Sequence, residues 1–175
     1  MANSLRVNAA ELLRRPGSQK SYELQPTLDE LDVHDPSRFA DDAVVDVSLH
    51  LEALTDGIVI DGELRVPWHG VCRRCLVPTG GVQVSEVHEL YQLVVTDPEA
   101  FEIVGDQVDL ADVVRELVLL DVPTTPLCRP DCAGLCLTCG ANLNDEQCDC
   151  AGPPVDPRWA ALDLLKPSDG DHSPN

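Results

Sequence analysis

The chain has 175 residues, which suits a single domain, and its 31 acidic against 12 basic side chains give a formal net charge of −19. A chain this acidic repels the phosphates of nucleic acids at long range and attracts basic proteins. The N-terminal sequence lacks the uninterrupted apolar run of a secretory signal, and no segment reaches the roughly 20 apolar residues of a membrane span. We therefore expect a cytoplasmic protein without a membrane anchor.

The first part of the chain predicts short elements followed by a loop. Residues 5–15 indicate a short strand and then a helical turn that Asn8 caps. Residues 18–25 are polar and predict an edge strand. Residues 26–42 are acidic and contain two prolines, which predicts an irregular loop.

The middle of the chain has the alternation of an antiparallel β meander. Thr55-Asp56-Gly57 and Gly80-Gly81 predict turns between its strands. One face of the first strand is apolar at Val45, Val47, Leu49 and Leu51. The last strand of the meander is long, and its pattern suggests a shift of register near Glu86. Its apolar positions are Val82, Val84, Val87 and Leu90.

Helical periodicity replaces the strand pattern over residues 107–121, where Asp109 is a predicted N-cap and Pro123 ends the helix. A second, short amphipathic helix is predicted over residues 156–166. The predicted fold class is therefore α+β, an antiparallel β meander packed by one main helix, with a C-terminal cysteine-rich zinc knuckle. The predicted division is an α+β domain (1–127), a cysteine-rich zinc-binding segment with its short helix (128–166) and a disordered tail (167–175).

Eight cysteines are the chemically most distinctive feature of the chain. They are Cys72, Cys75, Cys128, Cys132, Cys136, Cys139, Cys148 and Cys150. In a reducing cytoplasm, cysteines at such short spacings favour metal binding over disulfides. Four thiolates around one tetrahedral ion form a common structural zinc site, so one or two zinc ions are expected.

The C-terminal cysteines predict a local zinc site. Cys136-x-x-Cys139 is followed by Gly140, which allows a tight turn whose backbone N–H groups point at sulfur. Cys148 and Cys150 provide two further ligands after a short loop. We expect one zinc site from these four residues.

The remaining four cysteines predict a second site with ligands far apart in sequence. Cys72 and Cys75 lie between two strands, whereas Cys128 and Cys132 follow the main helix. A zinc ion held by all four would join the helix end to the sheet. Two alternatives stay open at this point: Cys132 could exchange roles with Cys136, and four thiolates also suit an iron–sulfur cluster.

Catalytic motifs are absent from the sequence. There is no phosphate-binding glycine loop and no nucleophile elbow, and eight cysteine ligands would leave no open zinc position for a substrate. The sequence thus predicts a protein that is not an enzyme and has no small-molecule substrate. Arg73, Arg74 and Arg129 are candidate contacts to RNA or to a partner, although Arg73 and Arg74 could instead balance thiolate charge.

The cysteine motifs and their surroundings resemble the YceD family, the large ribosomal RNA subunit accumulation proteins. The segments that carry the resemblance are Cys72-x-Arg74-Cys75-Leu76, the Gly134–Gly140 stretch, Asn142-Leu143-Asn144 and Cys148-x-Cys150. The resemblance extends from about Leu12 onward and is weakest in 26–42. Leu137 departs from it, since a proline is expected there. The resemblance implies a cytosolic, metal-binding factor needed for normal levels of large-subunit rRNA.

Two functions follow as hypotheses. In the first, an acidic, zinc-stabilised factor binds a basic ribosomal protein or a large-subunit assembly intermediate. In the second, the protein contacts rRNA directly through a local basic patch around Arg73, Arg74 and Arg129.

Overall fold

The structure, a computed structural model, describes residues 5–150 and 158–159. Its elements are β1 (Arg6–Asn8), α1 (Ala10–Leu13), β2 (Gln19–Leu24), β3 (Asp46–Ala53), β4 (Gly57–Val71), β5 (Pro78–Gln92), β6 (Phe101–Glu102), β7 (Gln107–Asp109) and α2 (Ala111–Asp121). The fold is α+β with one main helix, as predicted. The predicted domain division stays a prediction. Apart from Arg158 and Trp159, the predicted helix over 156–166 and the tail 167–175 lie outside the described residues.

Five strands form the main sheet in the order β2-β3-β4-β5-β6. The first four are an antiparallel meander, whereas β6 pairs in parallel with the end of β5, at Tyr91 and Gln92. The sheet is therefore mixed rather than purely antiparallel. β1 and β7 form a separate two-stranded antiparallel sheet.

The core lies on one face of the main sheet. The predicted apolar face of the first meander strand is buried at Val45, Val47, Leu49 and Leu51, as alternation requires. β4 continues this face with Ile58, Ile60, Leu64 and Val66. α2 covers the core with Val113, Val114 and Val118. No helix among the described residues is long and apolar enough to cross a membrane.

The prediction of a turn at Gly80-Gly81 is wrong, because both residues lie inside β5. A side chain at Gly80 would place its Cβ 2.7 Å from the carbonyl oxygen of Trp68. Glycine is present there for a close approach to β4, not for a turn. The chain turns instead at residues 72–77, which carry the first two cysteines.

The predicted register shift near Glu86 is also wrong. The β4–β5 pairing runs without interruption from Gly57 opposite Gln92 to Val71 opposite Pro78. The apolar pattern changes because the side chains change their environment: Val87 is buried in the core, whereas Val82 and Val84 are exposed on the open face. β3 ends its pairing with β4 at Arg65, so residues 66–83 form a two-stranded arm that carries the cysteine turn at its tip.

The helix predicted over 107–121 begins only at Ala111, since 107–109 pair with β1 as strand β7. The N-cap residue of the helix is Leu110, one residue after the predicted Asp109. The Asp109 carboxylate nevertheless accepts a hydrogen bond from the Ala111 N–H at 3.0 Å, at the start of the helix. The Asn8 side chain accepts one from the Ala10 N–H at 3.0 Å in the same way.

The acidic segment 26–42 is irregular, as predicted, and is also anchored to the fold. Its apolar residues Leu28, Leu31, Val33 and Phe39 are buried in the core. Arg38 donates to Asp35 at 2.7 Å and to the carbonyl of Leu119, at the end of α2. The Ser37 hydroxyl and then Arg38 lower the pKa of Asp35 to about 2.

Candidate metal centres

The structure brings the eight cysteine sulfurs together as two groups of four. The inner set consists of Cys72, Cys75, Cys128 and Cys132, and the outer set of Cys136, Cys139, Cys148 and Cys150. Within each set all four sulfurs lie within 4.8 Å of one another. These are the two groupings that the spacing suggested, and the exchange of Cys132 with Cys136 is not seen. Their role as metal ligands stays a prediction.

The inner set joins the tip of the arm to the segment after α2. Cys72, Cys75 and Cys132 are buried, and Cys128 is exposed. The backbone of the two segments also meets here, since the Arg73 N–H donates to the Pro126 carbonyl at 2.9 Å. Leu127 and Leu135 pack around the sulfurs. The arm and the segment after α2 are therefore held together by backbone hydrogen bonding and packing, and the four sulfurs lie at their junction.

Gly134 lets the two segments approach each other. Its φ is +81°, a left-handed conformation that glycine adopts without strain, and a Cβ there would lie 3.2 Å from the Arg74 carbonyl oxygen. The Leu135 N–H donates to that same carbonyl at 3.1 Å. A larger residue at position 134 would push the cysteine segment away from the arm.

The outer set closes a small loop of its own. Cys139 and Cys150 are exposed, whereas Cys136 and Cys148 are half-buried. The loop between them is held by the pairing of Leu135 with Asn142. All four outer cysteines therefore lie within one short stretch of chain.

Both Cys-x-x-Cys turns have the same backbone geometry. The N–H of the first cysteine donates to the carbonyl five residues later, at 2.8 Å in each turn (Cys72 to Val77, Cys136 to Ala141). The N–H of the residue after the second cysteine donates a hydrogen bond to the carbonyl of the first cysteine, at 2.9 Å in each turn. In the outer turn that residue is Gly140 (φ +76°), and in the inner turn it is Leu76 (φ +59°). Leu76 is thus a non-glycine residue in the left-handed region.

Asn144 connects the two sets. Its side-chain amide donates to the Cys132 sulfur at 3.4 Å, and its carbonyl oxygen accepts from the Ala133 N–H and from Arg129, both at 2.8 Å. The same side-chain amide also donates to the side-chain carbonyl oxygen of Asn142 at 2.7 Å. An N–H donor to a thiolate sulfur stabilises its negative charge and orients it toward a metal.

The sulfur separations fit a tetrahedral zinc ion. Zn–S bonds of about 2.3 Å place neighbouring sulfurs about 3.8 Å apart. In the inner set, Cys72 and Cys132 are 3.7 Å apart, and Cys75 and Cys128 are 3.6 Å apart. A disulfide would need sulfurs about 2.05 Å apart. The donor chemistry and the spacing both fit zinc.

The thiol pKa values within each set are uneven. Burial disfavours the Cys72 thiolate, but N–H groups of Cys128, Cys75 and Arg74 outweigh it and lower its pKa to about 5. N–H groups of Cys139 and Thr138 lower the pKa of Cys136 to about 6. The Cys128 residue is exposed, but its sulfur contact with Cys75 is partly buried. This desolvation and the neighbouring thiols raise the pKa of Cys128 to about 12. Without a cation, the thiols that ionise first disfavour ionisation of their neighbours, so a bound divalent ion would displace protons from the remaining thiols.

The three arginines differ in how much of their charge is available. Arg74 donates to the Cys132 carbonyl at 2.9 Å, and Arg129 is bonded to Asn144 and lies 3.5 Å from Asp131. Arg73 is exposed, and its guanidinium has no hydrogen bond or ion pair to the described residues. Two of the three candidate contact residues therefore already have partners within the fold.

Sequence reasoning missed the contributions of Gly134, Asn144 and Leu76 to these sites. Asn142-Leu143-Asn144 did stand out as a motif, and an amide between cysteine pairs is a signal for a donor to sulfur. Nothing in the local sequence marked Leu76 as left-handed. Its conformation is recognised only when the inner turn is compared with the outer turn.

Comparisons with known proteins relate the chain to one family. The family model described as large ribosomal RNA subunit accumulation protein YceD matches residues 60–166. An uncharacterized protein of Mycobacterium tuberculosis is 34% identical over 183 residues, which cover 95% of this chain and 84% of that protein. The chloroplastic large ribosomal RNA subunit accumulation protein YCED homolog 1 of Arabidopsis thaliana is 38% identical over 60 residues, 34% of this chain and 19% of that protein.

No solved structure gives a significant match to this chain. The family match includes α2 and all eight cysteines, together with most of β4 and the whole of β5. The chain belongs to the YceD family of large ribosomal RNA subunit accumulation proteins.

Proposed function

We propose that the protein is a non-catalytic ribosome-biogenesis factor that holds two zinc ions and is required for large-subunit rRNA to accumulate. Membership of the family supports the role in rRNA accumulation. The two sets of four cysteine sulfurs support the binding of zinc. The observation that carries the proposal is that both sets lie inside the segment that the family model matches. The protein would act in the cytoplasm, where ribosomes are assembled.

The donor sets argue for a structural role of the metal. Four cysteines fill the coordination of one zinc ion, so no position is left for a water or a substrate. The zinc of the inner set would hold the arm against the segment after α2. What it supplies is a fixed geometry of two chain segments, not a reacting group.

The charge of the chain favours a basic protein as the direct partner. The formal charge is −19, and eight thiolates holding two Zn²⁺ would add about −4. This field repels rRNA and steers a basic ribosomal protein, alone or in an assembly intermediate, toward the surface.

The alternative is direct rRNA contact, and the exposed guanidinium of Arg73 favours it. Gel shifts with large-subunit rRNA fragments at near-physiological salt separate the two mechanisms. For the protein alone we expect no saturable binding. Tight binding that Arg73→Glu abolishes, and that the matched charge change Arg14→Glu spares, would establish the alternative.

The proposed function is tested in cells that lack the protein. We expect a lower ratio of large- to small-subunit rRNA, restored by the wild-type chain and not by Cys75→Ser. Cys75→Ser must be present at the wild-type level for this comparison, which immunoblotting measures. An unchanged rRNA ratio without the protein would contradict the proposal.

A further inference from the structure

The outer edge of β5 is open over much of its length. β5 pairs with β4 along all of its residues, but on its other side it pairs with β6 only at Tyr91 and Gln92. The Val84 carbonyl accepts a hydrogen bond from the Gln83 side chain at 2.9 Å. Among the described residues, no other main-chain group of 79–87 has a hydrogen-bond partner except in β4. A row of backbone donors and acceptors is therefore available at this edge.

The devices that usually protect a sheet edge are missing here. Residues 79–87 contain no proline and no lysine, and their register with β4 has no bulge. Glu86 is the one charged residue in the stretch. The edge is thus long and regular enough to accept another strand.

The side chains beside this edge are apolar near the arm. Val82 is 60% exposed and Val84 is 41% exposed. Val82 lies opposite Pro67, which is exposed as well. Exposed valines on a sheet face, with no described element to cover them, are typical of a surface that a partner buries.

The same face becomes acidic toward the centre of the sheet. Glu86 lies directly opposite Glu63, and Asp61 lies opposite His88. Arg65 lies 3.6 Å from Glu63, and His88 is paired with Asp61, whose carboxylate raises the pKa of the imidazole. Two glutamates directly opposite each other repel, and a positively charged occupant would relieve that repulsion.

We propose that the edge of β5 between Thr79 and Val87 docks an extended, basic segment of the protein partner as an added strand. Apolar side chains of that segment would cover Val82 and Val84, and its Lys or Arg side chains would lie near Glu63 and Glu86. Backbone hydrogen bonds would give affinity, and the alternating side chains would give selectivity. The inference rests on the basic protein partner of the proposed function.

Hydrogen exchange on the full-length, zinc-loaded protein tests the edge. The probe is a synthetic ten-residue peptide with Thr at every second position and, between them, Val in one half and Lys in the other, so that Val and Lys share one face of the added strand. In the free protein every second amide of 79–87 exchanges rapidly, and the peptide slows those amides at least tenfold. Amides that are already slow without the peptide would show that the edge is covered, by the chain itself or by a second copy, and would overturn the inference.

Matched peptides and variants test the mode of binding. A peptide N-methylated at alternate residues, or one with Glu in place of Lys, is expected to bind at least tenfold more weakly. Val82→Thr with Val84→Thr keeps strand propensity and is expected to weaken binding at least fivefold, as is Glu86→Lys. Val104→Thr, an exposed valine elsewhere (66%), leaves binding unchanged. Equal binding of the N-methylated peptide would overturn the inference.

The two proposals fail in different ways. If purified basic ribosomal proteins bind while the β5 amides stay unprotected, only the docking edge is wrong. If no basic ribosomal protein binds and rRNA levels do not depend on the chain, the proposed function is wrong.

Discussion

The inner and outer cysteine sets have the same turn and different surroundings. Sulfurs in contact in the inner set belong to residues 53 and 60 positions apart, and three of its four cysteines are buried. The outer set is confined to residues 136–150 and has two exposed cysteines. Closing a long loop removes more freedom from the unfolded chain than closing a short one. The same four-thiol chemistry should therefore stabilise the whole fold in one place and a single loop in the other.

The largest difference is expected between Cys75→Ser and Cys139→Ser. Cys75→Ser should lower the Tm by about 10 °C or more, because it releases the arm from the segment after α2. Cys139→Ser should lower it by about 3 °C or less. Thermal unfolding followed by circular dichroism measures both.

Limited proteolysis locates these effects. Cleavage near residues 122–128 should be at least tenfold faster in Cys75→Ser than in the wild type, and unchanged in Cys139→Ser. If the two variants were equally stable and equally resistant, the distinction between the inner and outer sets would be wrong.

Asn144 offers a way to weaken the inner set from the outer loop. Asn144→Ala removes the donor to the Cys132 sulfur and the acceptor for Ala133 and Arg129. We expect zinc affinity at the inner set to fall tenfold to a hundredfold, the range for residues that orient a ligand. Competition with a colorimetric chelator measures it.

A matched variant serves as the control for Asn144. Gln147 is exposed in the same loop and, among the described residues, its side chain makes no hydrogen bond to a sulfur, so Gln147→Ala should leave both zinc affinities unchanged. Equal affinities for Asn144→Ala and wild type would mean that the two sets are independent.

The smallest effect is expected at the residue that ends each turn. Leu76→Gly should raise the free energy of unfolding by up to about 1 kcal/mol, since left-handed strain of about 1–2 kcal/mol is relieved while glycine adds freedom to the unfolded chain. Gly140→Ala should lower it by about 1 kcal/mol for the opposite reason. Urea unfolding measures both. A loss of stability in Leu76→Gly would show that the leucine side chain makes a stabilising contact.

Local pattern was sufficient for much of the fold. The alternation of Val45, Val47, Leu49 and Leu51 predicted the buried face of the first strand, and helical periodicity predicted α2. Cysteine spacing suggested both four-residue sets, whose sulfurs the structure groups in the same way. These features depend on residues close in sequence or on strict ligand chemistry.

Features set by distant contacts could not be predicted. Gly80-Gly81 has the composition of a turn, and only the close approach of the Trp68 carbonyl from β4 explains Gly80 within a strand. Residues 107–109 form a strand because β1, a hundred positions away, pairs with them. The contact of Asn144 with Cys132 likewise needs the folded geometry of both loops.

Metal content tests the central claim most directly. Elemental analysis of the natively purified full-length chain should give two zinc ions per chain. A chelator should remove one ion rapidly, from the exposed outer set, and the second slowly, from the buried inner set. One zinc or less per chain, an iron-containing protein, or two ions lost at the same rate would contradict the account.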